Sequence, residues 1–237
     1  MLIFGLLISL KAFSEPLNIV GNSWPPYVEK SIETKGLAME IITTAMQRKG
    51  YQPRINIEIW SRVLEGVEIG VYDVVAAIWK TPERENKLLF SNPYLINQIK
   101  FIKMKKTEVK YQNLDDLTGY LIGIVRDYAY DEAFLKSQVL IKIPQNHIVQ
   151  NLLKLTKGEI DLTLGDERAL SYEINHYMSG YAPQLEFLSK PLSQRSLHIA
   201  VSKQNPNAKK IVADFNQAID KMKKDGSLDA IIRKFDK

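Results

Sequence analysis

The sequence predicts an α/β protein built as two similar lobes, each a mixed, mainly parallel sheet flanked by helices. Three observations carry this. Strand and helix patterns alternate over the first 80 residues as strand, helix, strand, helix, strand, the order of parallel strands joined by crossover helices. The same order recurs from Tyr120 to Gly165. A chain of 237 residues is also long enough for two lobes of about 100 residues each.

At the start, Leu2–Leu10 is an uncharged apolar run too short to span a bilayer. Ala12-Phe13-Ser14 then places small residues where a cut before Glu15 needs them, so residues 1–14 are expected to be a secretory signal peptide, although no Lys or Arg precedes the run. Leu17–Val20 reads as a strand, and Pro25-Pro26 as extended chain after a Gly-Asn-Ser turn. Leu37, Ala38, Ile41, Ile42, Ala45 and Met46 share one helical face, with Gly50 as the expected C-cap. Ile55, Ile57 and Ile59 alternate as a strand does. Ser61 is the expected N-cap of a helix carrying Val63, Leu64 and Val67. YDVVAAIW is an apolar, β-branched run, hence a buried strand.

The second series reads YLIGIV (strand), YDEAFLKS (helix), IKI (strand), HIVQNLLKLTKG (helix, capped by Gly158) and IDLTLG (strand). Ile211, Phe215, Ala218 and Met222 then line one face of a long helix, and SLDAIIRKF adds a short last one.

Composition removes several classes of function. With no cysteine there is no thiol catalysis, no Cys-ligated zinc and no disulfide. His147, His176 and His198 lie in separate segments, without a Ser-His-Asp or His-x-Glu spacing, so neither an enzyme nor a metal or other cofactor is expected. The net charge of +5 is spread along the chain, and the cluster Lys103–Lys110 comes with no nucleic-acid recognition motif. No second apolar run reaches membrane-spanning length, so the mature chain is not expected to insert.

Several segments are distinctive together: PPY after the first strand, KGLAMEII, GVYDVVAA, TPERENKLLFSNPY, LTGYLIGIV, KGEIDLTLGD and MKKDGSLDAIIRKF. Through them the chain resembles the family 3 periplasmic solute-binding proteins, the amino-acid receptors of bacterial ABC importers, over essentially its whole mature length. The resemblance implies the two-lobed type II periplasmic-binding-protein fold. Lobe 1 would comprise 15–97 and 196–237 and lobe 2 would comprise 98–195, with a two-strand hinge near Ile96–Lys100 and Pro191–Ser196. It also implies a periplasmic monomer that closes on a small polar zwitterion, an amino acid or a related amine or carboxylate, and hands it to an ABC permease.

Site residues follow residue by residue. Thr81-Pro82 suits the start of a helical turn, with Thr as N-cap and Pro next. On that turn Arg84 offers the planar fork of donors that grips a carboxylate, the role the resemblance gives it; a surface pair with Glu83 or Glu85 is the alternative. Asp166, at the carboxyl end of a buried strand, corresponds to the aspartate that binds the ligand's ammonium, or else caps the next helix. Trp24 holds the position of a ring that stacks on the ligand, or is an ordinary rim aromatic. Arg62, beside Trp60 at a strand-to-helix corner, either reaches the cleft or makes a salt bridge within its lobe. Asp161 matches a structural aspartate of the family.

Two positions depart from the family pattern. Trp79 stands where a Thr or Ser usually offers a hydroxyl to the carboxylate. Asp127 and Tyr128 stand in a loop that usually runs Gly-Thr or Gly-Ser; Asp127 either reads a cationic ligand group or caps a helix starting near Tyr128. Both put a standard amino-acid ligand in question. A free sensor presenting ligand to a membrane partner, or a dehydratase-like enzyme, are the other functions this fold supports.

Overall fold

The computed structural model describes residues 16–235, so the signal-peptide reading of residues 1–14 lies outside the described residues. Strands β1 (Pro16–Asn22), β2 (Gln52–Glu58) and β3 (Val74–Trp79) run parallel, with helices α1 (Leu37–Gln47) and α2 (Trp60–Glu68) as the crossovers. A four-residue helix α3 (Pro82–Glu85) and a short strand β4 (Leu88–Phe90) follow, then the long strand β5 (Leu95–Met104). The second parallel group is β6 (Leu121–Val125), β7 (Ile141–Gln145) and β8 (Leu162–Asp166), with α4 (Glu132–Lys136) and α5 (Ile148–Lys157) between them. Helix α6 (Glu167–Tyr177), β9 (Leu185–Phe187), the long β10 (Ser193–Ser202), α7 (Ala208–Lys224) and α8 (Ser227–Phe235) complete the order.

The sheet runs β2-β1-β3-β10-β5-β8-β6-β7. Read from either end, the pattern is the same: edge strand, first strand, third strand, then a long antiparallel strand. The two long strands meet in the middle, pairing Ser193 with Ile99 through to Leu197 with Leu95. Beyond that stretch they separate. Residues Leu197–Ser202 of β10 join β3 and β4, and Ile99–Met104 of β5 join β8 and β9. Each lobe is therefore a parallel trio closed by one antiparallel strand, and the lobes are linked by the β5–β10 pair.

The predicted apolar faces form the core. All six of Leu37, Ala38, Ile41, Ile42, Ala45 and Met46 are fully buried, and so are Ile211, Phe215, Ala218 and Met222 of α7, which packs on α1 and β10. Each of the Leu, Ile, Met and Phe side chains among them contributes about 1.5–3 kcal/mol of transfer free energy. Phe215, stacked edge-on against Tyr94 at 5.6 Å, is the residue whose loss would most open this layer.

Four local expectations change. Helix α1 ends with Arg48 as C-cap, and Gly50, at φ 83°, closes the turn beyond it by donating to the Gln47 carbonyl. Arg48 and Lys49 reach across instead to Asp225 (2.6 Å) and Asp214 (3.2 Å) of the α7 region. Helix α2 starts two residues earlier than an N-cap at Ser61 implies, at Trp60; with β2 ending at Glu58, only the extended Ile59 is left to precede it, and Ser61 falls inside the first turn. No helix begins near Tyr128: α4 starts at Glu132, where Asp131 accepts from the Ala133 and Phe134 amides, so Asp127 caps nothing. The chain turns at Pro25–Pro26, a cis peptide, because the Trp24 and Val28 backbones pair with each other (2.8 and 3.0 Å). That turn presents Trp24 and Tyr27 on the same side.

Candidate ligand-binding cleft

All six parallel strands point their carboxyl ends at the space between the lobes, the place where open α/β sheets bind ligands. After β1 comes Trp24, after β2 Trp60, and after β3 the turn bearing Arg84. After β6 come Arg126, Asp127 and Tyr128, after β7 Asn146 and His147, and at the end of β8 stands Asp166. A chamber of about 550 Å³ is lined by all of these except Asp166. An adjoining chamber of about 740 Å³ shares Trp24, Tyr128, Asn146 and His147 and carries Asp166, Glu29 and Glu173.

Arg84 is positioned by its own turn. Thr81 takes the extended N-cap conformation, its Oγ1 accepts from the Arg84 amide (3.3 Å), and Pro82 occupies the first helical position. The guanidinium donates Nη1–H to the Trp79 carbonyl (2.8 Å) and lies 5.0 Å from the centre of the Trp60 ring. Glu85 is held by Lys80 (2.7 Å), and among the described residues no carboxylate pairs with Arg84. Burial, and then the neighbouring Arg195, lower its pKa, yet a guanidinium stays charged. The site is thus a half-buried cation with donors left over, which favours an anion.

Trp79 forms the wall beside it. The ring is 7% exposed, and its Nε1–H donates to Asn97 Oδ1 (2.9 Å). It meets Trp24 edge-on at 5.4 Å and, across the cleft, Tyr128 edge-on at 5.1 Å, while the Arg195 guanidinium sits 5.2 Å from its centre. Trp24 also packs on Tyr27 at 4.5 Å.

Asp166 is placed differently. It is 1% exposed and is the N-cap of α6, with Oδ1 accepting from the Ala169 amide (3.0 Å). Oδ1 also accepts from the Tyr27 hydroxyl (2.7 Å), and Oδ2 from the Asn97 amide (2.9 Å), which in turn donates to the Tyr27 oxygen (2.7 Å). Burial pushes this carboxyl above its ordinary pKa, against the opposing pull of the Tyr27, Ala169 and Asn97 hydrogen bonds. Tyr27 comes from the first lobe and Asn97 from the crossing strand β5, so the network ties the lobes together.

The structure therefore brings Arg84, Trp24, Trp79, Asp127 and Tyr128 to one chamber and sets Asp166 beside it. Asp127 is exposed at the chamber mouth, at φ 57°, the left-handed region that favours the usual glycine. Arg62 points to solvent, 3.7 Å from Glu58, outside the chamber lining. Asp161 accepts from the Leu121 amide (2.8 Å), bracing β6. Sequence reasoning missed Tyr27, Asn97 and Arg195. One signal was there: Asn97 shares the inward face of β5 with Leu95, Ile99 and Phe101, where a polar residue must find partners.

The family model for bacterial extracellular solute-binding proteins, family 3, matches residues 18–236. The chain belongs to this family. A protein named as an arginine-binding protein of an ABC transporter from Escherichia coli (strain K12) is 27% identical over 163 residues, 68% of this chain and 65% of that one. This chain thus spans just under two thirds of that relative. The L-cystine-binding protein TcyJ of the same organism is 25% identical over 235 residues, 98% of this chain and 86% of its own length. Among solved structures, an ancestral arginine-binding protein bound to arginine matches with a TM-score of 0.75 at 20% identity, over 93% of this chain and 97% of that one. Likeness at that identity shows the shared two-lobed fold of this family 3 chain.

Proposed function

We propose that this chain is an extracytoplasmic receptor that captures a small polar, carboxylate-bearing solute, an amino acid or a related compound, by closing its lobes. Lobe 1 (15–97 and 196–237) and lobe 2 (98–195) rotate about the β5–β10 crossing, and the loaded monomer delivers its cargo to an ABC importer from the periplasm. No bond is made or broken; the relatives named above are binding proteins too. One observation carries the reading: Arg84 is half-buried at the cleft, lacks an acidic partner among the described residues, and keeps donors in a geometry suited to a carboxylate. Trp24, Trp79 and Tyr128 supply the rings that would pack on the rest of the ligand, with Asp127 at the mouth. Arg62 has no role in it.

A thermal-shift screen of amino acids, polyamines and small peptides tests this, because a ligand that binds only the folded chain raises its apparent stability. Hits should carry a carboxylate and should disappear in Arg84→Ala while the variant melts near the parent. Turnover of a hit would overturn the receptor reading in favour of an enzyme.

A further inference from the structure

Two guanidiniums share the Trp79 wall, and among the described residues neither pairs with an acid. Arg84 donates to the Trp79 carbonyl and lies over the Trp60 ring, while Arg195 lies over the Trp79 ring, 5.2 Å from its centre. Arg195 belongs to β10, where it pairs directly with Asn97 of β5. Directly opposed residues of an antiparallel pair point to the same face of the sheet. Asn97 reaches Trp79, Tyr27 and Asp166, so Arg195 is turned to the cleft as well. It stands half-buried at the edge of the Arg84 chamber, against the Trp79 wall. After burial, Arg195 is the main influence lowering the Arg84 pKa, so the two cations feel each other. The nearby acids are engaged elsewhere: Glu85 with Lys80, and Glu58 with Arg62. A guanidinium over a ring face keeps the N–H donors of its own plane for an anion. Two like charges held close and half-buried are costly until an anion reaches them. One carboxylate balances one guanidinium and leaves the other. The adjoining chamber, with Asp166, Glu29 and Glu173, remains for a ligand's ammonium. The basic end of the cleft thus carries more charge than a single carboxylate offsets.

We infer that Arg195 reads a second anionic group, and that the preferred cargo is an amino acid whose side chain ends in a carboxylate or a phosphoryl group. This rests on Arg84 as the anchor of the first carboxylate. With that group fixed, the second anion lies along Trp79 and meets the Arg195 fork, and the repulsion between the two guanidiniums is relieved.

Titration calorimetry on the full chain decides it with two matched pairs: L-glutamate against L-glutamine, and O-phospho-L-serine against L-serine. In at least one pair the anionic member should bind more tightly than its neutral partner, by about tenfold or more, and the pair that shows it tells a carboxylate from a phosphoryl group. Arg195→Gln should remove that preference by weakening the anionic member while the neutral one binds as before. Neutral members that bind as tightly as the anionic ones in both pairs would overturn the inference, and would mean that the two guanidiniums share one carboxylate. An Arg195→Gln chain that keeps the preference would overturn it also. So would one that weakens both members alike, the mark of a side chain that only holds Trp79 in place. Where Arg195→Gln does not fold, Arg195→Lys decides, since it keeps the charge and loses the fork: a reduced preference supports the inference and an unchanged one overturns it. If no member of either pair binds, the inference is overturned, whereas the receptor reading falls only if the wider screen likewise yields no solute that depends on Arg84.

Discussion

Arg84 and Asp166 stand at equivalent places in the two lobes, yet their polar atoms are used in opposite ways. Strand β3 and strand β8 are each the third strand of a parallel trio, each fully buried, and each leads into a helix at the cleft. After β3, two residues intervene before the helix. Thr81 does the capping, and Arg84, three residues on, is left to project. After β8 none intervenes. Asp166 is at once the last strand residue and the N-cap, so its carboxylate is turned inward onto Ala169. A spacer of two residues separates a charge left to project from one that also caps the next helix. Between them Trp79 and Asn97 complete a wall that runs from one anchor to the other.

The sharpest way to break this comparison is to remove Asp166. Asp166→Ala leaves three buried donors unpartnered, each worth about 1–3 kcal/mol, offset in part by relief of the buried charge; a net loss of about 3 kcal/mol is expected in urea denaturation. A variant as stable as the parent would mean that the network holds nothing together. Next comes Arg84→Ala. Calorimetry with a ligand found in the screen should show at least about a 100-fold loss of affinity, while stability changes by less than about 1 kcal/mol, as for a side chain whose donors are mostly free. Loss of folding in that variant would move Arg84 to the structural side. Tyr27→Phe should cost about 1–2 kcal/mol, since Asp166 loses one donor and Asn97 loses the Tyr27 oxygen but keeps its carboxylate partner. An equal loss in Tyr27→Phe and Asp166→Ala would show that the hydroxyl dominates the network.

The smallest effect is a titration. The Asp166 carboxyl should titrate above the ordinary value of 3.8, observable by carboxyl NMR. Between that value and its raised one the folded chain holds a proton that the unfolded chain has released. Its contribution to stability is therefore greatest below the window and declines as pH rises through it. Exposed Asp225 behaves oppositely, held down to about 2 by Ser227 and Arg48, so its contribution is present above 3.8 and fades as pH falls toward 2. Asp166 titrating below Asp225 would contradict the burial that sets it apart from Arg84.

Much of this was legible in the chain. The apolar stripe of α1 and the buried run of β3 depend on spacing alone, and so does the capped turn at Thr81-Pro82, because a helix or strand buries whatever its period brings to one face. The motifs likewise carried the family. The partners of Asp166 were not legible: Tyr27 lies 139 residues away and Asn97 lies 69 away. Nor were the contacts of Trp79 with Asn97, Trp24 and Tyr128, although the family pattern already placed that residue at the site.

The sequence by itself determined the order of elements, the doubled αβ plan and the residue types offered at each strand end. Only the tertiary structure decided which of those residues face one another. Local spacing sets which side of an element a residue lies on. Whether its donors and acceptors are already engaged depends on chain brought in from elsewhere, and that gave Asp166 the Tyr27 and Asn97 donors while Arg84, among the described residues, has no acidic partner.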